Sequence, residues 1–105
     1  MEKKRFFIKL FKALANEARV DLMLELGDGE RNVTQLVKSL KQKQSSVSHN
    51  LHNLIDAGLV HCRQDGAFRY YSLDTMMGSP IVKSIQHYPK PYLLEPHQVR
   101  SQQQQ

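Results

Sequence analysis

Gln44-Ser45-Ser46-Val47-Ser48-His49-Asn50-Leu51-His52-Asn53-Leu54-Ile55-Asp56-Ala57-Gly58 is the stretch on which the fold turns. Val47, Leu51, Leu54 and Ile55 recur three and four residues apart, and that spacing predicts a helix over about 44–57 with one apolar stripe turned inward. Gly58 stands at the C′ position, where a left-handed residue commonly stops a helix. By the 3.6-residue period, Gln44, Ser45, Ser48, His49 and His52 fall on the opposite side. Short hydrogen-bonding side chains on such a face reach base edges in a major groove when the other face is anchored. The charge pattern agrees. No acidic residue occurs between Glu30 and Asp56, whereas Arg31, Lys38, Lys41 and Lys43 cluster just ahead of the helix. A carboxylate there would repel phosphate, and the positive end of the helix at Gln44 and Ser45 attracts it.

Toward the N-terminus, Phe7, Leu10, Phe11 and Leu14 predict an amphipathic helix over 3–15. Asn16 can cap a second helix over 17–27, which Gly27-Asp28-Gly29 ends by giving the chain residues that readily take positive φ. A short helix over 34–41 follows, with Leu36, Val37 and Leu40 facing inward and Asn32 or Thr34 as its cap. Lys41-Gln42-Lys43 then makes a tight polar turn into the helix at Gln44. On the far side, residues 59–63 and 67–73 are β-prone runs joined through Asp65-Gly66, which predicts a hairpin. Ser79-Pro80 suits the start of a last helix over about 80–88, and Pro89, Pro91 and Pro96 prevent a long extension. The order is mainly α with a small β-hairpin: a winged helix-turn-helix. The reading head occupies 1–75, a C-terminal helix and proline-rich extension 76–97, and a polar, disordered tail 98–105.

With 105 residues the chain has room for one modest core, and folds of this size often gain stability by pairing. A net charge of +5 points to a polyanionic partner. Arg63 and Arg69 flank the hairpin turn and, with Lys41, Lys43 and His52, are the candidates for backbone phosphates; Gln44, Ser45, Ser48 and His49 are those for bases. The single cysteine, Cys62, excludes an intramolecular disulfide and fits a reducing compartment. No apolar run is long enough to span a membrane, and Lys9 and Lys12 interrupt any signal-peptide core, so a cytoplasmic location is expected. No Gly-rich phosphate loop, triad or paired carboxylates in an apolar context point to catalysis.

Four segments together resemble the ArsR/SmtB family of bacterial and archaeal regulators: Phe11-Lys12-Ala13-Leu14-Ala15-Asn16-Glu17-Ala18-Arg19, Gln44 to Leu51, Leu54 to Val60, and Gly66 to Leu73. The resemblance covers residues 6–74 and implies a homodimer, its first and last helices packed together, whose two reading heads bind a palindromic operator in double-stranded DNA. The expected dimer surface is Phe6, Phe7, Leu10, Phe11, Ile81 and Ile85. Two positions depart from the family pattern. Lys41 stands in place of the usual glycine of the turn, and Lys43 in place of a serine cap.

The family's metal switches are not matched. Where some members carry a Cys-Val-Cys segment, this chain has Arg31-Asn32-Val33-Thr34-Gln35-Leu36. Where others place Asp two residues before His on the last helix, Ile85 precedes His87, and prolines separate His87 from His97. No metal and no cofactor are expected. Cys62 reads first as a small buried hydrophobe of the wing and, more sharply, as a redox-sensitive thiol near DNA. The competing reading of the whole chain is a winged-helix module for protein–protein contact in a transcription or replication assembly.

Overall fold

Ala15 closes the first helix and Asn16 caps the second: the Asn16 Oδ1 accepts the Arg19 backbone N–H at 3.1 Å. The computed structural model describes residues 1–88, and the proline-rich extension, His97 and the predicted tail lie outside the described residues. The elements are α1 (Glu2–Leu14), α2 (Glu17–Leu26), β1 (Arg31–Asn32), α3 (Val33–Leu40), α4 (Gln44–Asp56), β2 (Val60–Asp65), β3 (Phe68–Leu73) and α5 (Gly78–Gln86). Of the two caps expected for α3, the chain uses Asn32. Its Oδ1 accepts the Gln35 N–H while the Gln35 side chain accepts the Asn32 N–H, both at 2.9 Å, a reciprocal capping box.

Five helices and the root of the hairpin enclose one core. Leu10 of α1, Leu22 and Met23 of α2, Leu36 of α3, and Val47, Leu51 and Leu54 of α4 are all buried, with Leu59, Val60 and Tyr71 from the hairpin root and Val82 from α5. The first hairpin strand runs two residues further than expected, to Asp65, the second starts one residue later, at Phe68, and the chain makes a third strand. The order is β1-β3-β2, all antiparallel, with Arg31 opposite Tyr71 and Asn32 opposite Tyr70. Gly66-Ala67 forms the two-residue turn, with Asp65 opposite Phe68. Gly66 alone of the two has positive φ (62°), as a type II′ turn requires.

Several expectations need correction. Ile55 is 36% exposed and lies at the margin of the α4 stripe rather than within it. Leu10 is 1% exposed, so the protomer's own core consumes it and it is not available to a partner surface. Gly27 has ordinary helical φ (−62°), and positive φ falls on Gly29 (131°). A side chain at Gly27 would meet Val82 Cγ1 at 2.8 Å, so this glycine permits α5 to lie close against α2. The last helix starts two residues before Pro80, because Asp74 rather than Ser79 organises its approach.

Asp74 binds the end of the wing to the start of α5. Its carboxylate accepts the Met76 and Met77 backbone N–H groups at 3.1 and 2.7 Å and pairs with His61 Nε2 at 2.6 Å. Its backbone N–H donates to Leu59 O, and its carbonyl accepts from Ser79 N–H. The His61 partner, followed by the two N–H donors, holds the Asp74 carboxyl below its ordinary value of 3.8. Lys9 does the same for Asp56, and Arg63 for Glu30. Depressed carboxylate values stabilise the fold above the unfolded-state values, and the stabilisation is lost as pH falls through the folded ones. Denaturant midpoints should therefore drop on acidification below about pH 4.5, and Asp74→Asn should flatten part of that drop. An unchanged acid limb in Asp74→Asn would show that Asp74 does not carry the linkage.

Candidate nucleic-acid interface

The buried stripe of α4 determines what its other face can do. Val47, Leu51 and Leu54 are at most 1% exposed, packed with Leu36 and the α2 residues Leu22 and Met23. This places Gln44, Ser45, Ser48, His49 and His52 on the surface together. A brace fixes the helix from one side. Arg19 donates from Nε to Asn50 Oδ1 at 3.2 Å and from Nη1 to Ala13 O at 3.3 Å, tying α4 to the α1–α2 junction. The pairing of Arg19 with Asn50 spans 31 residues, and neither helical period nor local spacing signals it.

Both departures at the turn carry a structural consequence. Lys41 ends α3 in the left-handed region, at φ 56° and ψ 36°, the one non-glycine residue with positive φ among those described. An L side chain there costs about 1–2 kcal/mol relative to glycine, the residue the family pattern prefers. Lys43 is the N-cap of α4 and makes no side-chain cap bond, so the first turn leaves donors open to an approaching anion. Lys41 and Lys43 are both exposed and stand beside the N-terminus of α4.

The wing projects beyond the core. From His61 to Arg69 every residue is exposed. Cys62 is exposed too, contrary to the buried reading. It lies opposite the buried Tyr71, but the hairpin has already left the core at that point. Burial pushes the Tyr71 hydroxyl above its ordinary value, and interaction with Cys62 adds to this while Arg69 opposes it. Arg69 and the 54% exposed Phe68 mark the tip, and Phe68 was not singled out by spacing or charge. Arg63 is differently placed from Arg69: both oxygens of Glu30 accept from it, at 2.7 and 2.8 Å.

The expected partner surface is largely open. Phe6, Phe11 and Ile85 are 45%, 58% and 40% exposed, and Phe7 and Ile81 are half-buried. Phe7 packs edge-on against Phe6 and tilted against Phe11, giving α1 a continuous aromatic ridge. Among the described residues, no three His, Cys, Asp or Glu side chains come together as a set able to hold a metal ion. No described helix is long and apolar enough to cross a membrane.

Three helices around a braced reading helix, followed by a basic-tipped hairpin, define a winged helix-turn-helix regulator. Residues 16–61 match the model of the bacterial regulatory protein family arsR. The arsenical resistance operon repressor of Bacillus subtilis is 35% identical over 71 residues, covering 67% of this chain and 68% of the relative. Among solved structures, a homodimeric winged helix-turn-helix DNA-binding domain from Mycobacterium bovis, described as a possible ArsR-family regulator, superposes with a TM-score of 0.80. It is 26% identical, and the match covers 88% of this chain and 85% of that one. HlyU from Vibrio cholerae superposes with a TM-score of 0.74 at 28% identity, covering 80% of this chain and 91% of that one. The chain belongs to the ArsR family, a family of transcriptional regulators and not of enzymes.

Restoring the family residues at the turn tests its energetics. Lys41→Gly should stabilise the fold by about 1 kcal/mol by relieving the left-handed lysine, and Lys43→Ser by about 1 kcal/mol by adding the missing cap bond. Chemical denaturation measures both, and a loss of stability in either variant would contradict the stated geometry.

Proposed function

We propose that the chain is a homodimeric, sequence-specific repressor that places α4 in the major groove of an operator and works in the cytoplasm. The observation that carries this reading is the outer face of α4. It is polar, free of carboxylates through its first three turns, set on a fully buried stripe and preceded by two exposed lysines. Gln44, Ser45, Ser48 and His49 read bases; Lys41, Lys43, His52 and Arg69 meet phosphates. Phe6, Phe7, Phe11, Ile81 and Ile85 supply the dimer contact, with residues 1–75 as the reading head. The names of the relatives support a regulator of transcription, and that of the Bacillus subtilis relative supports repression. The segment Arg31 to Leu36 has no cysteine, so the reading includes no metal switch at that position.

Affinity for a duplex selected from a random pool should fall steeply with salt, with a slope of about −0.9 in log–log terms per phosphate contact. A flat slope, or no duplex bound below micromolar, would point instead to a protein-contact module. His49→Ala should relax discrimination at one base position by about 1–3 kcal/mol, whereas Lys43→Ala should weaken all duplexes alike and make the slope shallower by about 1 per site. Intact discrimination in His49→Ala would place the wrong face in the groove.

A further inference from the structure

Arg63 is strapped across the sheet. Nε donates to Glu30 Oε2 at 2.8 Å and Nη2 to Glu30 Oε1 at 2.7 Å, the paired bonds in which a guanidinium fits a carboxylate best. The guanidinium carbon lies 4.8 Å from the centroid of the Tyr70 ring, and Nη1 is 3.6 Å from Asp65. Arg63 is on β2, its cross-strand partner Tyr70 is on the central β3, and Glu30 immediately precedes β1. One side chain thus reaches from β2 across β3 to the residue that leads into β1. Isolated exposed ion pairs contribute little, but a bidentate pair fixed by a ring and a second carboxylate is the exception. With a carboxylate on either side, Arg63 also presents no uncompensated charge to a phosphate.

The geometry matters because the β1–β3 ladder holds the wing only at its root, as far as Asn32 opposite Tyr70, and the ribbon beyond that pair has little else to set its angle. Between His61 and Arg69 no residue is buried, and a two-stranded ribbon in water is only marginally stable. Glu30, by contrast, is followed directly by β1 and the capping box of α3, so it moves with the helix-turn-helix.

We propose that the Glu30–Arg63 pair is a positioning device that sets the pitch of the wing relative to α3 and α4, and that Arg69 is the arginine the wing delivers to the DNA backbone. This inference rests on the DNA-binding reading and assigns Arg63 a role different from the phosphate contact its position in the sequence suggested. Removing either partner lets the wing swing and carries Arg69 off the backbone. If Arg63 were itself a phosphate ligand, removing Glu30 would release it and tighten binding.

The test measures salt-dependent affinity of the full chain for its selected duplex in Glu30→Gln, Arg63→Met, Arg69→Ala, their pairwise combinations and the swap Glu30→Arg/Arg63→Glu. Glu30→Gln and Arg63→Met should each weaken binding about tenfold, with shallower salt slopes, and should add little to Arg69→Ala. The swap should recover part of the loss. Tighter binding with a steeper slope in Glu30→Gln, or full additivity with Arg69→Ala, would overturn the proposal. Amide hydrogen exchange without DNA gives an independent readout. Residues 64–69 should exchange faster in both single variants, and unchanged rates would overturn the strap. A wild-type chain that binds no duplex would refute the DNA reading, and exchange rates would then decide on the strap alone.

Discussion

Burial of one stripe of α4 is the constraint on which the rest depends. Val47, Leu51 and Leu54 fill the centre of the core, and together with Leu22, Met23 and Leu36 they fix both the depth and the rotation of the helix. Each buried leucine or valine contributes roughly 1.5–3 kcal/mol by removal from water. Rotating α4 by a third of a turn would expose these residues and bury Ser48 and His49 without partners. The exposed face is therefore defined as strictly as the buried one. A reading surface built this way needs no contacts among its own side chains, and the Arg19–Asn50 bond adds a polar stop to an apolar seat.

Around that seat the chain places its charge unevenly. Carboxylates are kept off α4 until Asp56 in its last turn, where Lys9 pairs with it at 2.8 Å. Lys41 and Lys43 occupy backbone positions where other residues would be more stable, a left-handed turn and an uncapped helix start. On the proposed DNA-binding reading, local stability is given up where a phosphate is to be met, a pattern expected of sites shaped by function. In the wing the charge is again unevenly placed: of its two arginines, Arg63 is paired with a carboxylate on the surface of the sheet and Arg69 is exposed near the tip.

The helices were legible because each carries a 3.6-residue apolar period or a cap, and the face of α4 followed from that period alone. Strand β1 was not, since two residues, Arg31 and Asn32, show no alternation and pair only because β3 comes alongside. The start of α5 was misplaced because Asp74, three to four residues upstream, supplies the acceptors that Ser79-Pro80 seemed to offer. The exposure of Cys62 depends on how far the hairpin outruns the core, a distance that strand alternation does not encode. The partnership of Arg63 with Glu30 joins residues 33 apart, and the sequence marks both only as surface charges. Local pattern reveals which face a residue takes; tertiary reach determines whom it meets.

The central claim, that α4 enters the major groove, is tested most directly by dimethyl sulfate protection of guanine N7, an atom that lies in that groove. On a selected duplex bound by the chain, protection should fall in two major-groove segments with centres about one helical turn, or a multiple of it, apart. Protection should fade at one position of each segment when His49 is replaced by alanine. Unprotected guanines throughout a footprint that is otherwise occupied would contradict the account.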